Sequence, residues 1–295
     1  MKKQWFIIIA LVALGVFVIL ACGGDGDDDG DDDAATASFQ LRMIDAPIDD
    51  AEAVNLTISS IAVRGEEPHQ GDDDMNSGDD GPNYASWIEL EIEPTTYDLL
   101  ALQNNVFAVL AEEELPFGDY SEIRLILECD GDSGGEIVID GETYPLKVPS
   151  GCQSGFKLKG DFTVQEGAET ILVMDLDARK SITETGNGKY ILNPVARFIQ
   201  AEDAGNIIGE VEPIVDRTVV YAFENGSFTG NNFADAIQST MPDQGAFTIA
   251  ALPAGDYDIV AGAPGYETGI YVEALSLATG EDRTLDEPVE LIPAD

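Results

Sequence analysis

A period-two alternation of apolar and polar residues constrains this chain more than any other feature. Phe39, Leu41 and Met43 alternate with polar neighbours, as do Val54, Leu56 and Ile58, then Ile88, Leu90 and Ile92. Ile123, Leu125 and Leu127 repeat the pattern, followed by Phe156 and Leu158, and by Leu172, Met174 and Leu176. On an extended backbone successive side chains point to opposite faces, so each run makes a strand with one apolar face. Many short runs bounded by Gly, Pro and Asp predict an all-β chain of sandwiches. Asp140-Gly141, between Ile137-Val138-Ile139 and Thr143-Tyr144, is a two-residue hairpin signal. One short helix is expected, from Asn105 to Glu114. A second series of strands covers Ile207–Val211, Thr218–Phe223, Ala246–Ala250 and Tyr257–Ala261. The 295 residues, 44% of them hydrophobic, are enough for two cores. Two β-sandwiches in tandem are therefore expected, over 38–201 and 205–295, and they do not read as repeats of each other.

Ahead of the strands, Lys2 and Lys3 precede an apolar run from Trp5 to Ala21, the pattern of an export signal. The run ends in Ile19-Leu20-Ala21-Cys22. This resembles the bacterial lipobox, which implies a signal peptide over 1–21 and lipid, palmitate included, on Cys22. The competing reading is an uncleaved span, for which 17 residues is the lower bound. Acyl chains gain ~0.8 kcal/mol per buried CH₂, so several hold stably. Gly23 in place of aspartate after the cysteine points to an outer-membrane address. Residues 22–37 then form an acidic tether: the aspartates among its glycines repel one another and have nothing apolar to bury. A display cue and loose calcium capture are the alternative readings of this run.

Acidity runs through the whole chain, with 57 Asp and Glu against 14 Lys and Arg and a net charge of −43. Residues 38–204 hold 10 positive and 34 negative side chains, and residues 205–295 hold 2 and 16. Such a surface repels nucleic-acid phosphates and excludes them as partners. A saline habitat would produce the same acidity without a specific ligand. His69 is the single histidine, so any imidazole chemistry would have to use it. The second block has no Lys, His or Cys, which removes Schiff-base, imidazole and thiol chemistry from it. Cys129 and Cys152, an even pair in an exported chain, are expected to form a disulfide. No enzyme is expected. A two-carboxylate hydrolase would need a cleft holding the pair ~5–10 Å apart, and no residue pattern marks one.

The candidate sites are few. Asp175 and Asp177 are two apart on a predicted strand and share a face. With Asp45 and Asp49 from the loop after the first strand, they make a candidate calcium cage, the competing reading being solvated or capping carboxylates. Asp72, Asp74 and Asn76 have EF-hand-like spacing, but Ser77 and Asn83 stand where glycine and glutamate are needed. Phe228 and Phe233, in a Gly/Asn-rich loop, are expected to be exposed and to contact a ligand such as a carbohydrate. Tyr221 and Phe223 share a strand face that belongs to a core. Lys147, Lys157, Lys159, Arg179, Lys180, Lys189 and Arg197 cluster within about fifty residues. They either neutralise nearby acids or form an anion-binding patch, for an acidic glycan or for the tether.

Two family resemblances add to this. Met43-Ile44-Asp45-Ala46-Pro47, the run Leu146 to Gly155, Met174-Asp175-Leu176-Asp177-Ala178-Arg179-Lys180-Ser181-Ile182 and Tyr190-Ile191-Leu192-Asn193-Pro194-Val195 resemble an uncharacterised bacterial lipoprotein family, the domain of unknown function 4382. Asp243-x-Gly245-x-Phe247, Leu252-Pro253-Ala254-Gly255-Asp256-Tyr257 and Ala263-Pro264-Gly265-Tyr266 resemble the carboxypeptidase regulatory-like domain, a transthyretin-like, carbohydrate-binding-like sandwich. That resemblance implies an accessory module with Phe247 and Tyr257 in its core. The expected protein is a lipid-anchored cell-envelope module for binding or scaffolding, with a carbohydrate or an envelope protein as partner. A calcium-stabilised stalk or adhesin component is the alternative.

Overall fold

The computed structural model describes residues 36–48, 51–65, 87–149, 151–186, 188–230 and 232–294. Cys22, residues 23–35 of the expected tether, Asp49 and the acidic segment 66–86 with His69 lie outside them, while Thr36 and Ala37, expected in the tether, open the first strand. The first block contains β1 (Thr36–Ala46), β2 (Ala53–Gly65), β3 (Trp87–Leu90), β4 (Thr95–Asp98), β5 (Ala108–Pro116), β6 (Gly118–Leu127), β7 (Ser133–Ile139), β8 (Glu142–Lys147), β9 (Phe156–Val164), β10 (Thr170–Asp177), β11 (Ile182–Thr185), β12 (Lys189–Leu192) and β13 (Ala196–Gln200). The second contains β14 (Gly205–Glu212), β15 (Val219–Glu224), β16 (Gln238–Thr240), β17 (Ala246–Leu252), β18 (Gly255–Gly262), β19 (Gly269–Leu277), β20 (Asp282–Thr284) and β21 (Val289–Glu290). Two one-turn helices, α1 (Gly151–Ser154) and α2 (Ala178–Ser181), interrupt the strands. Among the described residues no helix is long and apolar enough to cross a membrane. The chain is all-β, as its alternation requires.

Four sheets result. The first has the order β13-β10-β1-β5, and the second β11-β12-β8-β7-β2-β6-β9, with β3 and β4 also paired to β2. The third joins β17-β14-β20, with β21 on β14, and the fourth is β16-β15-β18-β19. The alternating residues Phe39, Leu41, Met43, Leu172 and Met174 of the first sheet meet Val54, Leu56, Ile123 and Leu125 of the second in one core. The second block packs Ile207, Phe247, Ile249, Tyr257 and Ile259 into another. The β7–β8 hairpin turns at Asp140 (φ 52°) and Gly141 (φ 74°), both left-handed as a tight two-residue turn demands.

The expected helix from Asn105 to Glu114 is instead β5. Ala, Leu and Glu favour helix locally, but β5 supplies the antiparallel partner of β1, with Leu41 opposite Ala111 and Phe39 opposite Glu113. Leu110 and Leu115 are thereby buried, and the long-range pairing overrides local propensity.

The two blocks differ in strand order, yet one hexapeptide pattern recurs: Leu115-Pro116-Phe117-Gly118-Asp119-Tyr120 and Leu252-Pro253-Ala254-Gly255-Asp256-Tyr257. Each builds the same corner. A strand ends, a glycine begins the next, and the tyrosine hydroxyl donates to the proline carbonyl four residues back, at 2.7 Å in both. Burial pushes the Tyr120 phenol up to about 12 and raises that of Tyr257. Tyr120→Phe and Tyr257→Phe each remove one hydrogen bond to a proline carbonyl while keeping the ring. Each should lower the unfolding free energy by about 1 kcal/mol in urea titrations.

Candidate functional site

The most elaborate polar arrangement among the described residues lies between the two blocks. Leu172, Met174 and Leu176 of β10 face the first core, so Val173, Asp175 and Asp177 take the other face. The second block covers that face. Ile44, Val173 and Ile199 pack there against Ala250 and Ala251 of β17. Asp175 and Asp177 are buried in consequence, at 2% and 4% exposure, with Asp45 at 2%.

Cations meet these carboxylates. Arg197 of β13 places Nη2 3.0 Å from Asp175 Oδ2, and its Nη1 donates to the Ala251 carbonyl across the block boundary at 2.7 Å. Asp177 caps α2, accepting the Lys180 backbone N–H at 3.0 Å. Its other oxygen lies 3.3 Å from Arg179 Nη2 and 3.1 Å from Lys180 Nζ. Lys180 Nζ also donates to the Ala236 carbonyl of the second block at 2.7 Å, and the Arg179 guanidinium lies over the Tyr221 ring at 5.3 Å. Asp45 accepts the Ala178 N–H at 2.9 Å. Burial raises the Asp45 carboxyl well above the usual range, and the Asp175 and Asp177 charges add to the rise against the opposing Ala178 N–H. Burial also raises Asp175, opposed by Arg197 and the Gln238 amide.

A second clasp flanks this seam. Asn104, left-handed at φ 54°, donates Nδ2 to the Met241 carbonyl at 2.7 Å and its backbone N–H to Thr240 Oγ1 at 3.3 Å. Its Oδ1 accepts from Thr240 Oγ1 and from the Thr248 N–H, at 3.0 and 3.1 Å. Gln103 Oε1 accepts the Met241 N–H at 3.0 Å. A cleft of about 860 Å³ opens beside the seam, lined by Arg179, Arg217, Tyr190, Glu184, Ile139 and Met241.

The structure therefore brings Asp45, Asp175 and Asp177 together, as expected for a cage, but builds an ion-pair network from them. Calcium takes 6–8 oxygen ligands. Here Arg179, Lys180 and Arg197 supply the positive charge instead, and the Ala178 N–H holds Asp45. Among the described residues no group of three or more His, Cys, Asp or Glu side chains is placed to hold a metal ion. Asp49 lies outside the described residues.

Phe228 and Phe233 also differ from expectation. Both are half-buried, with Phe228 5.0 Å from Phe223 and Phe233 4.7 Å from Tyr221 between ring centroids. Their loop folds back over Val219, Tyr221 and Phe223, and the rings cover a satellite core that β15 would otherwise expose. Cys129 and Cys152 are disulfide-bonded, with Cα atoms 5.8 Å apart, tying the end of β6 to α1.

Two polar positions gave no functional signal at the sequence level. Asn104 is one. The other is Asp258, buried in β18, which accepts the Gly226 N–H and the Asn225 amide at 2.8 Å and the Ala274 N–H at 3.0 Å. A carboxylate within the apolar run Tyr257 to Ala261 was its available signature.

A family model described as a domain of unknown function (DUF4382) matches residues 36–194. No curated protein matches the chain. Among solved structures, the TIE protein of Bacillus anthracis is similar at 12% identity over 86% of this chain, with a TM-score of 0.23. This chain spans 34% of that protein's length. The minor pilin of Streptococcus agalactiae is similar at 12% identity over 87% of this chain and 97% of its own, with a TM-score of 0.20. The fimbrial anchor protein of Porphyromonas gingivalis is similar at 10% identity, 76% and 78% coverage, and a TM-score of 0.19. At such scores nothing about function follows from these likenesses.

Proposed function

The chain belongs to the DUF4382 family through residues 36–194, and from its own geometry we propose that it is a non-catalytic scaffolding component of the bacterial cell envelope. One observation carries this reading. Asp175 and Asp177 of the first block hold Arg197 and Lys180 at the seam, where these two cations donate to the Ala251 and Ala236 carbonyls of the second block and fix one block against the other. A support that holds other molecules at a set distance needs such a rigid joint. The export signal and Cys22 place it on a membrane by lipid, the tether stands it off, and the second block is a transthyretin-like accessory sandwich. Phe247 and Tyr257, buried in its core, support that last assignment.

The joint is testable directly. Spin labels on Glu166→Cys and Glu273→Cys, exposed positions in the two blocks, should give a single narrow distance distribution in the lipidated chain. A broad distribution would overturn the rigid scaffold. Chelator should leave both the distribution and Tm unchanged. A Tm that rises with calcium through mass action would replace this reading by the calcium-stabilised stalk. Cys22→Ser should release the protein from the membrane fraction.

A further inference from the structure

The outward face of β3, β2, β6 and β9 gathers four of the ten cations of residues 38–204. Arg64, Arg124, Lys157 and Lys159 stand there with Trp87, among four carboxylates, Glu89, Glu122, Asp119 and Asp161. The registers place them in two cross-strand rows. Trp87, Arg64, Glu122 and Lys159 follow one another across the four strands. Glu89, Arg124 and Lys157 form the row beside it, with Ala62 between Glu89 and Arg124. Neighbouring strands are ~4.8 Å apart, so the cations form one continuous patch. Glu122 is already paired with Arg64 at 2.9 Å, and this hydrogen bond holds its carboxyl below the usual range. Arg124 comes no nearer than 3.9 Å to the exposed Glu89. Lys157 and Lys159 are exposed and have no carboxylate at ion-pair distance among the described residues. The Trp87 ring lies 4.6 Å from the Arg124 guanidinium and 5.6 Å from Lys157 Nζ, which fixes an aromatic surface beside the open charges.

In a chain of net charge −43, two exposed lysines without a carboxylate partner among the described residues, set beside an aromatic ring, require an explanation. We propose that this face docks a linear carboxylated polysaccharide, its carboxylates on Arg124, Lys157 and Lys159 and a sugar face on Trp87. Charge complementarity carries the choice of partner. An anionic membrane presents a plane of charge to the whole acidic surface and is repelled by it, whereas a single extended chain touches only the patch. Duplex DNA carries one charge per ~1.7 Å. A uronate polymer carries one per sugar ring, so it pays far less repulsion from the flanking acids. The inference concerns the first block only and stands independently of the rigid joint.

Retention of the full lipidated chain in neutral detergent on immobilised polygalacturonate tests it. Binding is expected at low salt, weakening as salt rises. It is expected to be absent on the methyl-esterified polymer, whose carboxylates are neutral. Lys157→Ala with Lys159→Ala should weaken it about tenfold, two exposed charge contacts contributing together. Trp87→Ala should weaken it without changing the salt dependence. Circular dichroism of each variant confirms the fold. No retention, equal retention on the esterified polymer, or full retention by the double lysine variant would each overturn the proposal. Stronger binding to phosphatidylglycerol vesicles than to polygalacturonate would overturn the glycan in favour of a lipid surface.

Discussion

Arg197→Met should lower the unfolding free energy by about 3–5 kcal/mol, the cost of leaving a buried carboxylate without its counter-ion. Asp175 is almost fully buried, with the Arg197 guanidinium 3.0 Å away, and that same guanidinium satisfies the Ala251 carbonyl of the second block. The single substitution therefore strands a charge on one side of the seam and an acceptor on the other. Asp175→Leu combined with Arg197→Met removes both charges and should recover much of the loss, because a buried pair replaced by apolar groups of similar size is often neutral. Urea titrations of the four forms give the coupling energy. A single-variant cost below about 1 kcal/mol would show that water reaches the seam and that Arg197 does not hold the blocks together. The pH dependence carries a definite sign. Asp45 and Asp175 have raised folded-state values, chiefly through burial. The folded state therefore binds extra protons between the unfolded and folded values. The stability these two groups contribute is full below the unfolded value and is lost as pH rises through the folded one.

Such a seam explains which parts of the molecule could be read in the residues beforehand. Alternation in β1, β2, β6 and β10 is dictated by the backbone itself, so the strands and their core faces were legible. The shared face of Asp175 and Asp177 was legible for the same reason. Their fate was not, because burial came from a second block whose position no local pattern encodes. Carboxylates on a strand face suggest solvent or a metal until another sheet covers them, and here the cover brought Lys180 and Arg197 into contact with it. β5 failed in the opposite direction. Its Ala-Glu-Leu run has helix propensity, and only the need of β1 for an antiparallel neighbour makes it a strand. Phe228 and Phe233 were misplaced because a Gly/Asn-rich loop looks exposed in one dimension, while the uncovered rings of β15 draw it back in three. The recurring Leu-Pro-x-Gly-Asp-Tyr hexapeptide lay in plain view. Its meaning, a hydroxyl returning to a carbonyl four residues earlier, appears once both corners are superposed in the mind as one piece of geometry used twice.

Asp258→Ala should cost about 3 kcal/mol, the second of the two largest effects. One carboxylate accepts the Gly226 N–H, the Asn225 amide and the Ala274 N–H, pinning the turn after β15 and the bulged strand β19 to β18 between them. Alanine orphans all three donors, each costing ~1–3 kcal/mol where water cannot replace the lost acceptor. All three donors sit on exposed residues, so water recovers part of each share, most for the Asn225 amide. Burial alone would raise the Asp258 carboxyl, but the Gly226, Ala274 and Asn225 donors outweigh it and hold the group below the ordinary carboxylate range. The sign is therefore opposite to that of the seam. This stability is present above the unfolded value of ~3.9 and is lost as pH falls through the folded value. The gap between the parent protein and Asp258→Ala, measured by urea midpoints, should be largest near neutral pH and shrink as the solution is acidified below about pH 4. Asp258→Asn keeps one acceptor oxygen and should fall between the two. A gap that stays constant from pH 7 to pH 2 would mean that the lost contribution does not depend on the charge of Asp258, and the turn would then owe its position to the aromatic cluster of Phe223, Phe228 and Phe233.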